Sequence, residues 1–231
     1  MPPIKVKMLD DKRPKGSGTA AKERKPRPQT RIQKEKQDLI LEAALDIFSL
    51  HGFRGATIDQ IAEAAGMSKP NLLYYFRRKE DIYKRLLAEM LDVWLDPLKH
   101  MDSGGDPIPE IRSYIRRKLE MSRDFPRQSR LFANEVLQGA PRIFDMLEGD
   151  LKALVDEKAK VITGWMDEGK LNRADPYHLI FSIWATTQHY ADFDVQVRAV
   201  LGRDRGGEGR FDDAAHFLEQ LFMYGLKPHK R

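Results

Sequence analysis

The chain has 231 residues, 41% hydrophobic and 32% charged, enough for one large or two small domains with a real core, and its formal net charge is +5. With no cysteine, disulfides and thiolate metal sites are excluded, and a reducing cytoplasm is the expected home. The opening "MPPIKVKMLDDKRPKG" lacks the apolar run of a signal peptide, and no apolar segment approaches the about 20 residues of a membrane span, so a soluble protein with no membrane partner is expected.

The charge is unevenly placed. Residues 1–36 hold 12 Lys/Arg against four Asp/Glu, while residues 37–231 hold 28 against 31, so a body of net charge −3 follows a basic N-terminal stretch. Residues 1–32 read as an arm: Pro2, Pro3, Pro14, Pro26 and Pro28 with few large apolar side chains predict disorder when free. A solvated tail and a tail that touches DNA phosphates or a minor groove both fit this composition. Two folded units are expected after it, residues 33–78 and 79–231.

From Gln37 the pattern is helical. Leu39, Ile40, Ala43, Ala44, Ile47 and Phe48 recur on one face of a helix that ends near His51-Gly52. Thr57 with Gln60 three residues on is a capping-box pair, and Ile58, Ile61, Ala62 and Ala65 form the buried stripe of a short second helix. Gly66 suits the left-handed residue that closes this helix, and Ser68 caps a third with Pro70 in its first turn. Two short helices joined by such a turn cross steeply, which lets the second present its N-terminal end to a DNA major groove. Lys69, Asn71 and Tyr75 are expected on its exposed side, with Met67, Leu72, Leu73 and Phe76 packed inward. An αα-corner in any all-helical protein shares this turn chemistry, so pattern alone leaves that alternative open.

Further helices are predicted over 79–100, 107–124, 126–138, a run ending near Gly169, 175–201 and 211–225, which makes the fold class all-α. "SGGDPIP", Asp124-Phe125-Pro126, Gly139-Ala140-Pro141 and Asp175-Pro176 supply the breaks. Leu151, Leu154, Val155, Val161, Ile162 and Trp165 give the fourth run a core face. "GRDRGGEGR" lacks the GK[ST] of a phosphate loop and reads as a flexible connector. "LIFSIWATTQHYADF" is apolar for two turns and then carries Gln188, His189, Tyr190 and Asp192. Trp184 and Gln188 lie four apart on one face, so an indole plane and a carboxamide can converge on one cavity. A catalytic or metal cluster can be sketched from His178 with Asp175 and Ser182, or from His189 with Asp192. Neighbours of these types arise by chance on helices, no H-E-x-x-H is present and no third ligand is evident, so no enzyme, metal or cofactor is expected. A non-specific nucleoid protein would explain the basic arm but not a large apolar C-terminal unit, and the ratio of specific to random-DNA affinity separates the two.

"GATIDQIAEAAGMSKPNLLYYFRRKEDIYKRLL" resembles the N-terminal helix-turn-helix of TetR-family transcriptional regulators, down to the Tyr-Tyr-Phe and the following Lys-Glu. The resemblance implies a three-helix DNA-binding domain and a larger C-terminal helical domain for ligand binding and dimerisation. It also implies Thr57, Ser68, Tyr75 and Lys79 as phosphate contacts, with Lys69, Pro70 and Asn71 at the groove-facing end of the recognition helix. Asn71 is the candidate for reading a base edge, because an amide pairs bidentately with adenine. Arg78 departs from the family, which often has a small capping residue there, so the fourth helix is capped differently or Arg78 adds a phosphate contact.

Beyond the helix-turn-helix, "LDVWLDPLK", "SRDFPRQSRLF", "GDLKALVDEKAKVITGW" and "DPYHLIFSIWATTQHYADF" resemble the TetR-type regulators of pyrimidine utilisation, repressors whose effector is uracil or thymine. A different small hydrophobic or aromatic effector is the alternative. The last two helices are then expected to form a four-helix interface in a homodimer. For a planar, neutral pyrimidine, Gln188 offers a donor and an acceptor side by side, while Trp184, Trp94 or Phe132 covers the ring; a closed cavity would exclude uridine. The expected mechanism places two recognition helices about 34–36 Å apart on a palindromic double-stranded operator. Effector binding favours a different separation, with a coupling of roughly 1–3 kcal/mol.

Overall fold

The computed structural model describes residues 31–228, so the basic arm up to Thr30 and residues 229–231 lie outside the described residues. Every regular element among the described residues is helical, as expected. Helix α1 (Arg31–Gly55) already contains Arg31 and Ile32, assigned to the arm from sequence, and it breaks at Gly52 with φ of 65°. Its buried face is Ile40, Leu41, Ala43, Ala44, Leu45 and Phe48, whereas Leu39, expected inside, is exposed. The difference arises because α1 is covered by several later helices, which widens and rotates its buried sector toward Leu41 and Leu45.

Helices α2 (Ile58–Ala64) and α3 (Lys69–Tyr75) are both started by side chains. Thr57 Oγ1 accepts from Gln60 N–H at 3.2 Å while Gln60 Oε1 accepts from Thr57 N–H at 2.9 Å, and Ser68 Oγ accepts from Asn71 N–H at 3.4 Å. Between them Gly66 has φ of 62°, the left-handed geometry that turns the chain after Met67 N–H bonds to Ala62 O. Helix α4 (Lys79–Lys99) follows directly. Arg78 precedes it, and Asp81 does the capping in reverse by accepting from Arg78 N–H at 3.0 Å and from its guanidinium at 2.8 Å.

The remaining elements are α5 (Pro107–Asp124), α6 (Pro126–Leu137), the single turn α7 (Phe144–Met146), a π-helical turn at Leu147–Leu151, α8 (Lys152–Asp167), α9 (Pro176–Asp192), α10 (Asp194–Arg205) and α11 (Arg210–Leu226). The helix expected over 175–201 is therefore two, broken at Phe193. Flanking side chains hold this corner: Asp192 accepts from Ser129 of α6, and Asp194 accepts from Arg210 of α11 at 2.8 Å. Both partners are remote in sequence, so helical periodicity carries no sign of the break. The glycine-rich connector is also shorter than expected, since α10 runs through a second break at Gly202 to Arg205.

Two apolar cores result. The first joins α1–α4 through Met90 and takes in Leu131, Ala140 and Ile143 from α6 and the turn after it. The second packs α5, α8, α9 and α11 around Ile115, Ile162, Trp165 and Ile183. Ser122 Oγ donates to Thr187 O at 3.0 Å between α5 and α9, and Lys158 Nζ donates to Met101 O at 3.2 Å. Because a Cβ at Gly66 would meet no atom within 4 Å, Gly66→Ala isolates the cost of the left-handed backbone. It is expected to lower unfolding free energy by about 1–2 kcal/mol, read from urea denaturation, whereas Gly164→Ala, within α8, should not destabilise.

Candidate functional site

The exposed end of α3 is built by the turn before it. Ser68, Lys69, Pro70 and Asn71 are all exposed, and Tyr75 is half-buried against the first core. The Lys69 ammonium rests on Asp59 at 2.9 Å, a pair exposed on both sides that a DNA phosphate can compete for. Thr57 uses its hydroxyl twice within the cap, accepting from Gln60 N–H and donating to Gln60 Oε1 at 3.0 Å. Ser68 only accepts in its cap, which leaves its O–H for an incoming oxygen. Lys79 is placed differently from the other polar residues: its ammonium points inward, donating to Phe53 O and Ala56 O at 2.6 Å and lying 4.6 Å from the Phe53 ring centroid. Burial, then the charge of Arg142, lowers its pKa. A phosphate contact from Lys79 would come from its backbone N–H at the start of α4, where helix N–H groups have no internal partner.

Two exposed residues not singled out from sequence lie at and just beyond the end of α3. Tyr74 is 71% exposed at the position three after Asn71, edge-on to Tyr75. Arg77 is exposed and makes no ion pair among the described residues, whereas Arg78 is held by Asp81. The helical spacing 71, 74 could have identified Tyr74, but the double aromatic gave no reason to prefer one of the pair, and Arg77, beyond the extended Phe76 that ends α3, has no helical register to mark it.

A cavity of about 430 Å³ lies between α6 and α9 and is lined by Arg130, Phe132, Asn134, Gln188, Asp192 and Phe193, among others. It brings Phe132 and Gln188 together. Trp94 packs against Phe132, with ring centroids 5.9 Å apart, and behind it Lys118 places its ammonium 4.8 Å from the Trp94 ring. Neither Trp94 nor Trp184 joins this lining: Trp94 borders a separate pocket with Leu41, Leu45 and Met90, while the Trp184 indole N–H donates to Tyr114 Oη at 2.5 Å and its ring packs into the second core. The four-residue spacing set Trp184 and Gln188 on one face, but α5 supplies an acceptor that claims the indole.

Lys118 is the residue that sequence reasoning missed. It is only 4% exposed, makes no ion pair among the described residues, and burial pulls its pKa down to about 8 against the opposing pull of Asp192. In the sequence it sits between Arg117 and Leu119, where a lysine reads as an ordinary solvated charge. Asp192 is itself half-buried, and desolvation raises its pKa despite the hydrogen bond from Ser129 and the nearby charges of Arg130 and Lys118.

The residues of the two sketched groupings make local contacts. Asp175 caps α9 by accepting from Tyr177 and His178 N–H at 2.9 and 3.0 Å, and Ser182 Oγ donates to the His178 carbonyl at 2.7 Å. His189 stacks on Phe193 at 5.0 Å.

Comparison with known proteins gives consistent results along the chain. Residues 40–86 match the sequence profile described as "Bacterial regulatory proteins, tetR family", and residues 87–229 match "YcdC-like protein, C-terminal region". The chain is 51% identical over 199 residues to the HTH-type transcriptional regulator RutR of Escherichia coli (strain K12), covering 86% of this chain and 94% of that protein. Among solved structures, AibR in complex with isovaleryl coenzyme A and operator DNA superposes with a TM-score of 0.62 at 17% identity, covering 80% of this chain and 97% of that one. Salmonella enterica GusR gives 0.60 at 18% identity, covering 82% and 94%. These two show likeness of fold.

Base reading and phosphate attraction are separable by experiment. Asn71→Ala should cost about 1–3 kcal/mol of discrimination at one base pair of a selected operator while leaving random-DNA affinity unchanged. Lys69→Ala should weaken binding to all duplexes and lower the slope of log affinity against log salt by about 1. Fluorescence anisotropy over a salt series measures both.

Proposed function

The chain belongs to the TetR family of bacterial regulatory proteins and is a helix-turn-helix transcriptional regulator rather than an enzyme, and from that premise we propose that it represses genes of pyrimidine metabolism and is released from its operator by uracil or thymine. Regulators of this family bind operator DNA and small effectors and act as dimers; no described helix is long and apolar enough to cross a membrane, and the proposed site of action is the cytoplasm.

The observation that carries the effector reading is the α6–α9 cavity that Phe132 and Gln188 line together, with Trp94 tilted against Phe132 and Lys118 behind Trp94, both outside the lining. A pyrimidine base is flat, uncharged and carries carbonyls alternating with N–H groups around half its edge. Phe132 supplies flat apolar surface and the Gln188 amide a donor and an acceptor, while Trp94 and the Lys118 ammonium, behind Phe132, would reach the base only through a shift of α6 on binding, Lys118 then donating to a ring carbonyl. The high identity to RutR across both domains supports the same reading. At about 430 Å³ the cavity is in the range of sites for larger molecules, so rejection of uridine would come from closure of α6 and α9 around the base.

Calorimetric titration with uracil, thymine, uridine and cytosine tests this. Saturable binding of uracil or thymine with uridine rejected is expected. If the free bases give no heat and no rise in melting temperature while a larger planar ligand does, the pyrimidine reading fails. Lys118→Met adds a second test with a defined sign. The folded pKa of Lys118 lies near 8, below its unfolded value, so the wild type is penalised for holding the proton below pH 8 and recovers stability as pH rises. The variant should therefore melt above wild type by a few degrees at pH 6–7, lose that advantage as pH approaches 10, and bind uracil at least about tenfold more weakly.

A further inference from the structure

Helix α6 meets the cavity on one side and a buried charge cluster on the other. Phe132 and Asn134 line the cavity, and Ser129 donates to Asp192 at its edge. Next along the helix, Glu135 turns the opposite way and is 1% exposed. Its Oε1 accepts from Arg142 backbone N–H at 3.0 Å, and its Oε2 accepts from the Arg142 guanidinium at 3.0 Å. The same guanidinium lies 3.7 Å from the Phe53 ring centroid and 5.5 Å from that of Tyr83. Phe53 is also the ring touched by the Lys79 ammonium, whose hydrogen bonds to Phe53 O and Ala56 O span the end of α1 and the start of the helix-turn-helix. The peptide carrying Arg142 is held under strain: Ala140, between α6 and Arg142, is buried with φ of 53°, the only positive-φ residue other than glycine among those described.

A planar cation stacked on a ring, with its guanidinium and its own backbone N–H each bonded to one oxygen of a buried carboxylate, is fixed at both side chain and main chain, so it transmits displacement rather than absorbing it. We propose that Glu135 and Arg142 are positioning residues that couple α6 to the helix-turn-helix: movement of α6 at the effector cavity is delivered through Arg142 to Phe53 and Lys79, and so to the hinge between α1 and α2. This rests on the reading of the α6–α9 cavity as the effector site. Neither residue lines the cavity.

The test uses Glu135→Gln/Arg142→Met in the full-length protein, which removes both charges together so that neither is left buried alone. Operator affinity is measured by anisotropy on a duplex selected from random sequence, with and without saturating uracil, and uracil affinity by calorimetry. The variant should unfold cooperatively and bind uracil within about twofold of wild type, while the effect of uracil on operator affinity falls from several-fold or more to under about twofold. If operator affinity falls equally in both conditions and the ratio is kept, the cluster serves stability alone and the proposal is overturned. A wild type that binds no uracil would sink the effector reading instead, and the coupling is then read without effector. Operator DNA should slow amide exchange over residues 126–144 in wild type and not in the variant; an equal response in both proteins overturns the coupling. Should the double variant not fold, Glu135→Gln alone, whose amide still accepts from Arg142 N–H, is held to the same outcomes.

Discussion

Helix α6 is packed on both sides, against α1 of the DNA-binding unit and against α9 of the C-terminal unit, and most of what distinguishes this molecule follows from that placement. It begins at Pro126 and ends before Gly139, so its 12 residues form a short, bounded lever. Its N-terminal end is tied to α1 by Arg127, which reaches Glu42 and Asp46 across an exposed surface where such pairs contribute little. Its C-terminal end is tied by the buried Glu135–Arg142 pair, where loss of one partner would be costly. The stronger attachment thus lies beside the junction of α1 and α2.

The two halves of the protein use polar groups in opposite ways. In the helix-turn-helix, Thr57, Ser68 and Asp81 satisfy helix ends within a few residues, which makes the unit locally determined and rigid. In the C-terminal half, polar groups are carried into the interior and matched across long sequence distances: Ser129 to Asp192, Trp184 to Tyr114, Ser122 to Thr187. Lys118 is the extreme case, a cation facing an indole in place of a carboxylate. Retaining such a group costs stability at neutral pH, and a ligand that accepts from it would recover part of that cost on binding.

This division also explains what could be read from sequence. The capping box at Thr57, the left-handed Gly66 and the Ser68 cap were legible because each is a contact between residues three or four apart. The helix starts at Pro107 and Pro176 were legible for the same reason, with Asp106 and Asp175 capping them. The break at Phe193 was not, because Ser129 and Arg210 make it. Gln188 and Phe132 were named from sequence and share a cavity, whereas Trp184, chosen for its spacing from Gln188, is claimed by Tyr114. Lys118 and the inward turn of Lys79 depend on how helices pack, which composition and periodicity do not encode.

The central claim is that occupancy between α6 and α9 changes the separation of the two recognition helices. The chain has no cysteine, so Glu63→Cys on the exposed side of α2 provides a single attachment point for a spin label in each subunit. Pulsed electron-paramagnetic-resonance distances across the dimer, taken with and without saturating uracil, measure that separation directly. The account predicts a shift of several ångströms in the main distance on adding uracil, reversed by operator DNA. Identical distance distributions in the presence of bound uracil would contradict it.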